Sequence, residues 1–284
     1  MTFTLQITES GTLLHIPEGL EVAEPIFLKA SGHLTIRCEN GSKATIVQEL
    51  GSLEGAAVAA VQTVYEIIAE SGSHIQFIDL QNLDTQTDEI ALKRAEIARE
   101  ATLEWFFNLA GSRTSKTNLE ILFKGEGSHA DVSGLICSNG KQKLEIDSLL
   151  DHVAPNTSSN LLIKSTADGE SKTIFHGMIR IAKPAQKTDA YMANHNLILS
   201  DKAHADSQPK LEIEADDVKA SHGASIGQVD REQVFYLKTR GLNEKEAERI
   251  LVDGFCEDIF SRVPVASVRE QMRQQLFQKQ GRTL

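Results

Sequence analysis

From Thr2 to about Gly227, apolar and polar residues alternate in short runs. Phe3-Thr4-Leu5-Gln6-Ile7, His33-Leu34-Thr35-Ile36-Arg37 and His74-Ile75-Gln76-Phe77-Ile78 set the pattern. Leu119-Glu120-Ile121-Leu122-Phe123, Lys143-Leu144-Glu145-Ile146 and Lys210-Leu211-Glu212-Ile213-Glu214 continue it. A period of two turns every second side chain to the same side, so each run predicts a half-buried strand. The runs recur roughly every ten to twenty residues. Between them lie Gly, Ser, Asn and Asp, as in Ser71-Gly72-Ser73, Gly127-Ser128 and Ser138-Asn139-Gly140. A sandwich, a barrel or a solenoid suits such a series; aliphatic strands poor in aromatics point to stacked coils, although no fixed repeat is visible.

Two stretches depart from this period. Between Thr87 and about Asn108, Ile90, Ala91, Ala95, Ile97 and Ala98 approximate helical spacing while Lys93, Arg94 and Arg99 alternate with acids, which predicts a short helix or an irregular excursion. After Gly227 the period lengthens to about 3.6. Asp230, with Gln233 at the third position, caps a first helix carrying Val234, Phe235 and Leu237 and ending at Gly241. Asn243 and Glu246 repeat the capping pattern for a second, whose apolar set Ala247, Ile250, Leu251, Phe255 and Ile259 lies along one side. Beyond Pro264, the spacing of Val268, Met272 and Leu276 predicts a third helix. The change of period divides the chain into a mainly β part, residues 1–228, and a helical part, residues 229–284.

Composition narrows the class. In 284 residues, 40% hydrophobic and 24% charged are ordinary globular values, and with only 5% aromatics the core falls to Ile, Leu, Val and Ala. The apolar run Ala56 to Val61 falls far short of the roughly 18 residues that span a bilayer. No cationic segment precedes an apolar stretch at the N-terminus, so no signal peptide is read and a cytoplasmic location is expected. The net charge of −11 resides in the β part, and an acidic body repels nucleic acid and anionic lipid. Cys38, Cys137 and Cys256 are odd in number and form no C-x-x-C pair, which argues against a disulfide framework or a local zinc site.

Familiar catalytic strings are missing. The chain has no P-loop, no Gly-x-Ser-x-Gly elbow and no His-Glu-x-x-His. Gly125-Glu126-Gly127 lacks the third glycine of a dinucleotide fingerprint and reads as a turn. Glu212 and Glu214 share one strand face and read as solvent-facing. His152, His176, His195, His204 and His222 gather in the second half and permit a metal site, since neutral imidazole is a good ligand for iron or zinc.

A longer set of strings is more informative. Thr188-Asp189-Ala190-Tyr191, Asn196-Leu197-Ile198-Leu199-Ser200-Asp201, Pro209-Lys210-Leu211-Glu212-Ile213 and Ser221-His222-Gly223-Ala224 occur in order, followed by Gln233-Val234-Phe235-Tyr236-Leu237, Arg240-Gly241 and Gly254-Phe255. Upstream stand Ala101-Thr102-Leu103-Glu104-Trp105, Gly125-Glu126-Gly127 and the run from Asp151 to Asn160. This sequence resembles the SufB/SufD core family of the Suf iron-sulfur cluster assembly system. The resemblance implies a right-handed parallel β-helix followed by a C-terminal α-helical domain, and a scaffold rather than an enzyme. It implies an ABC-type ATPase partner, SufC, docking on the helical region with Phe235, Tyr236, Gly254, Phe255 and Ile259, so that this chain alone binds no nucleotide. It also implies pairing with a SufB-like paralogue, or with a second copy of itself, at a junction holding Asn194, Leu197, Leu211, Ser221 and Gly223. Iron or a transient iron-sulfur cluster gathers there, with His222 as the ligand carried over, and FADH2 accompanies some complexes of the family.

The pattern departs from SufB where it matters for ligation. SufB has Cys at the position aligning with Asn194 and Glu on either side of the aligned histidine, where this chain has Ser221 and Gly223. An amide cannot replace a thiolate as a soft ligand, so the chain resembles SufD. Ala220 stands where SufD sequences often have Cys. Strand-like sequence also begins almost at once, where relatives carry an N-terminal helical region, so a compact variant is expected. From another functional class, a β-helix enzyme acting on polysaccharide is the alternative; the scarcity of Trp and Tyr for stacking sugars weighs against it.

Overall fold

The computed structural model describes residues 2–51 and 60–279, so residues 56–59 of the apolar run lie outside the described part. An antiparallel pair, β1 (Thr4–Thr8) and β2 (Gly11–Ile16), comes first. Thereafter strands alternate between two sheets. β4 (His33–Cys38), β6 (Ala60–Ala69), β8 (Asp88–Ile97), β10 (Thr114–Phe123), β12 (Lys143–His152), β14 (Lys172–Ile181) and β16 (His204–Ile213) join β1 and β2 in a nine-stranded sheet. β3 (Ile26–Leu28), β5 (Lys43–Gly51), β7 (His74–Asn82), β9 (Thr102–Leu109), β11 (His129–Ser138), β13 (Ser158–Ala167), β15 (Asp189–Ile198) and β17 (Lys219–Gln228) form an eight-stranded sheet. Each coil contributes one strand to each sheet, and all pairings after β1 are parallel, which makes the fold a parallel β-solenoid. Coil length is not constant: Asp88 pairs with Thr114, Thr114 with Lys143, and Lys172 with His204.

One corner repeats in six successive coils, from the turn before β5 to the turn before β15. Gly41, Gly72, Glu100, Gly127, Asn156 and Lys187 all adopt positive φ, between 55° and 70°. At each, the backbone N–H donates to a carbonyl of the next coil, as from Gly72 to Arg99 and from Glu100 to Glu126, both at 2.9 Å. The residue after each is buried and small: Ser42, Ser73, Ala101, Ser128, Thr157 and Thr188. Several of these hydroxyls close the turn onto the carbonyl three residues back, Ser42 to Glu39 at 2.6 Å and Thr188 to Ala185 at 2.9 Å.

The inward faces of the two sheets fill the lumen with Leu, Ile, Val and a few rings; Phe77 stands edge-on to both Tyr65 and Trp105, at 5.9 and 5.3 Å between centroids. A second core lies outside. α1 (Arg231–Thr239), α2 (Glu244–Phe260) and α3 (Ala266–Lys279) follow β17, and α2 and α3 cover the outer face of the eight-stranded sheet, burying Ile78, Phe106, Leu135 and Leu162 against Val252, Cys256, Ile259, Phe260, Met272 and Leu276. The caps read from sequence are present: the Asp230 carboxylate accepts from the Glu232 N–H at 2.8 Å, and Asn243 and Glu246 form a reciprocal box. The apolar side of α2 is not the expected one. Its buried residues are Ala247, Val252, Cys256, Ile259 and Phe260, whereas Ile250 is 48% exposed and Phe255 half-buried, because only the face turned to the sheet has something to pack on.

The expected interruption after Thr87 is also replaced, by β8 and β9. The signal misled because the lumen here is polar: Glu89 and Lys93 point inward at 2% exposure each while Ile90 faces solvent at 62%. The Lys93 ammonium pairs with Asp79, and the Glu89 carboxylate accepts from Gln81 at 2.7 Å, Ser115 at 2.8 Å and Thr63 at 3.3 Å. Burial pushes the Asp79 carboxyl above its ordinary range, against the pull of Lys93. Removing one partner of a buried pair strands the other charge, so Lys93→Met is expected to cost about 3–5 kcal/mol in urea unfolding, with part of the loss recovered in Lys93→Met/Asp79→Asn.

Candidate functional site

The last coil is the exposed one. β16 and β17 each have one strand neighbour in their sheet, and most of their residues are exposed or half-buried. Register sets the side chains: His222 lies beside Met192, a residue of the lumen core, so the imidazole stands on the inward face at the open mouth of the solenoid. It is exposed and has no hydrogen-bond partner among the described residues. Ser221 and Gly223 occupy the outer face of the same strand beside Tyr191 and Ala193, and a Cβ on Gly223 would sit 3.4 Å from the Tyr191 hydroxyl.

Asn194 is fully buried one strand away. Its amide donates to the Ile163 carbonyl at 3.3 Å, its oxygen accepts from Asn196 at 2.7 Å, and Asn196 also donates to the Ser225 carbonyl at 3.2 Å. The two asparagines therefore tie β13, β15 and β17 together. Leu211 packs against the lumen core and Leu197 against the helix-covered core, so of the expected junction set only Ser221 and Gly223 share the open strand with His222.

The helical candidates also separate. Phe235 and Tyr236 on α1 are 69% and 56% exposed and, with Ile250, which sequence reasoning placed on the buried side, form an apolar surface. Beside Tyr236 and Ile250 a cavity of about 470 Å³ is lined by Tyr236, Leu237, Ile250 and Leu251 together with the polar Asp230, Glu232 and Gln233. Gly254 is exposed, Phe255 is half-buried, and Ile259 is wholly inside the second core. Lys164 on β13 clamps this region: its ammonium donates to the Phe255 carbonyl at 2.7 Å and to Asp258 at 2.5 Å and lies 5.0 Å from the Phe255 ring. The Asp258 carboxyl is held below its ordinary range chiefly by that hydrogen bond.

The remaining histidines of the second half have distinct settings. His195 shares a hydrogen bond with Ser225 at 2.7 Å, and burial and Lys164 push its imidazole below its ordinary value. His204 is exposed at the start of β16. His152 is buried in the lumen, stacked on Phe123 at 4.0 Å, with its ring nitrogens 2.8 Å from the Thr157 hydroxyl and 2.9 Å from that of Ser159. His176 joins Glu145 and Asp147 in a group whose ligand-type atoms lie within 4.8 Å of one another. The shared face of Glu145 and Asp147 is legible from their spacing, but the third member depends on strand register. Gly125-Glu126-Gly127 forms the turn after β10, as expected, with Glu126 bound to Asn156 at 2.9 Å.

Comparison with known proteins gives the family. The SufBD core domain of the SUF system for FeS cluster assembly matches residues 25–255. The chain belongs to the SufBD core family. Its members are scaffold subunits rather than enzymes. An iron-sulfur cluster assembly SufBD family protein of Mycobacterium leprae is 30% identical over 282 residues, covering 93% of this chain and 70% of the relative. SufD of Escherichia coli is 28% identical, covering 94% and 62%, and SufB of Bacillus subtilis 27%, covering 97% and 61%. Among the described residues, no helix is long and apolar enough to cross a membrane. Among the described residues, the open coil and the α1 surface are both exposed.

His152 gives a pH test of the lumen. Burial pushes its imidazole from 6.5 down to about 4, so the unfolded chain binds a proton that the folded chain refuses. Stability is full above pH 6.5 and falls as pH drops toward about 4, by about 3 kcal/mol from this group. Urea unfolding between pH 7.5 and 4 should show a loss in the native chain that is smaller in His152→Gln by about that amount.

Proposed function

We propose that this chain is a SufD-like scaffold subunit of an iron-sulfur cluster assembly complex. In this reading the open coil pairs with the corresponding coil of a SufB-like paralogue, and iron or the forming cluster, as cargo, meets His222 at the junction. A SufC-like ABC ATPase docks on α1 and the first half of α2, and its movement reaches the β-helix through the α2 face and Lys164. The observation that carries the reading is His222: an unpartnered imidazole between small neighbours, on an edge strand, at the mouth of the lumen. Buried Asn194 cannot supply a soft ligand in place of a thiolate, so the thiolate comes from the partner. The acidic charge disfavours nucleic acid as a partner.

A second reading is favoured by the comparisons: identities of 27% to a SufB and 28% to a SufD are nearly equal, as expected if one chain fills both scaffold positions as a homodimer. Mass measurement of the purified chain, alone and mixed with a SufB-like paralogue, separates the two.

Two outcomes test the function. In the reconstituted complex, His222→Ala should fold and bind partners normally but lose cluster formation followed by anaerobic absorption; unchanged cluster formation overturns the ligand role. Phe235→Ala/Tyr236→Ala should weaken ATPase binding by about 2 kcal/mol or more, about thirtyfold in Kd, without lowering the melting temperature. Unchanged Kd overturns the docking assignment.

A further inference from the structure

We propose that Glu145, Asp147 and His176 form a binding site for a first-row divalent cation on the outer face of the nine-stranded sheet, and that Lys116 competes with the ion for it. The three ligands lie on two neighbouring parallel strands, β12 and β14, with Lys116 on β10 beside them, and register brings them together. Asp147 on β12 pairs with His176 on β14, and Glu145 on β12 pairs with Lys116 on β10. Glu145 and Asp147 are two apart on one strand, so both carboxylates point out of the same face.

A positive charge already marks the position. The Lys116 ammonium lies 3.0 Å from Glu145 Oε1 and 3.2 Å from Asp147 Oδ2, bridging the two carboxylates. A cation there meets one oxygen from each. The His176 ring, 2.7 Å from the other Asp147 oxygen through Nδ1, adds a nitrogen ligand. All three ligand groups are half-buried, whereas the Lys116 side chain is 52% exposed on a flexible stem and can swing into solvent. Lys143, 3.3 Å from Glu145 Oε2, holds the far side of that carboxylate and is not in the way.

The donor set selects the ion class. Two carboxylate oxygens and one imidazole nitrogen suit ferrous, manganous or zinc ions, whereas calcium and magnesium take oxygen ligands almost exclusively. Choosing ferrous iron among these rests on the scaffold function proposed above; the site itself does not. In that setting the group is a loading point on the opposite sheet from His222, where an ion is held before it reaches the junction.

The test uses the full chain. Anaerobic calorimetry with Fe²⁺, and electron paramagnetic resonance with Mn²⁺, should show one bound ion that Asp147→Asn and His176→Ala each weaken by about tenfold or more. Lys116→Met should tighten binding, because the competing ammonium is gone; a plain ion-pair ladder predicts no ion in any variant. His222→Ala should leave this binding unchanged. Absence of ion binding in both the native chain and Lys116→Met overturns the proposal, as does binding that only His222→Ala abolishes. Ion binding here together with unchanged cluster formation in His222→Ala overturns the junction reading alone; no ion binding here while cluster formation still depends on His222 overturns this site alone.

Discussion

In-register parallel pairing from coil to coil is the constraint on which the rest of this molecule depends. Each strand must lie directly above its predecessor so that every backbone donor finds an acceptor, since an unpaired buried peptide group costs about as much as a lost hydrogen bond. The chain can meet that demand only if it turns in the same place in every coil. Positive φ at one corner does this, with glycine in three coils and Glu100, Asn156 and Lys187 in the other three. For a residue with a Cβ that conformation costs roughly 1–2 kcal/mol, less for Asn. The inter-coil hydrogen bonds made by those same N–H groups offset it.

Register also arranges the side chains. Residues in register stack into rows, so Arg94 meets Glu120 at 2.9 Å and Lys116 meets Glu145 at 3.0 Å across neighbouring strands of the nine-stranded sheet. Each such exposed pair contributes little by itself. The opposite sheet is treated differently: its outer face is apolar from Val47 to Ala193 and is covered by α2 and α3. Two polar clasps join it to α3: buried Asn108, set between Leu80 and Leu135, with Gln275 at 2.8 Å, and Glu49 with Gln271 at 3.1 Å.

Strands and helix caps were legible in the sequence because they depend on local period and local hydrogen bonds. The coil repeat was not, because its marker is a backbone conformation shared by Gly, Glu, Asn and Lys, and because coil length drifts. β8 was misread because Glu89 and Lys93 sit where a lumen normally demands aliphatic residues, and their compensation comes from Asp79 and Gln81 on the facing strand β7 and Ser115 in the next coil. The buried side of α2 depends on the sheet beneath it, which no helical period reveals. Of the candidate site, His222 was visible through the order of motifs around it; the exposure of Ile250 and the meeting of His176 with Asp147 belong to tertiary structure.

The antiparallel hairpin at the start of the chain gives the solenoid two unlike ends. Parallel strands exchange evenly spaced, slanted hydrogen bonds, whereas an antiparallel edge offers alternating close and wide pairs. β2 carries both patterns at once, antiparallel to β1 and parallel to β4, so the described solenoid passes from one ladder to the other across a single strand. The opposite sheet runs from β3, three residues long, to β17, ten residues long, so its two edges present unequal lengths of unpaired backbone to a further strand.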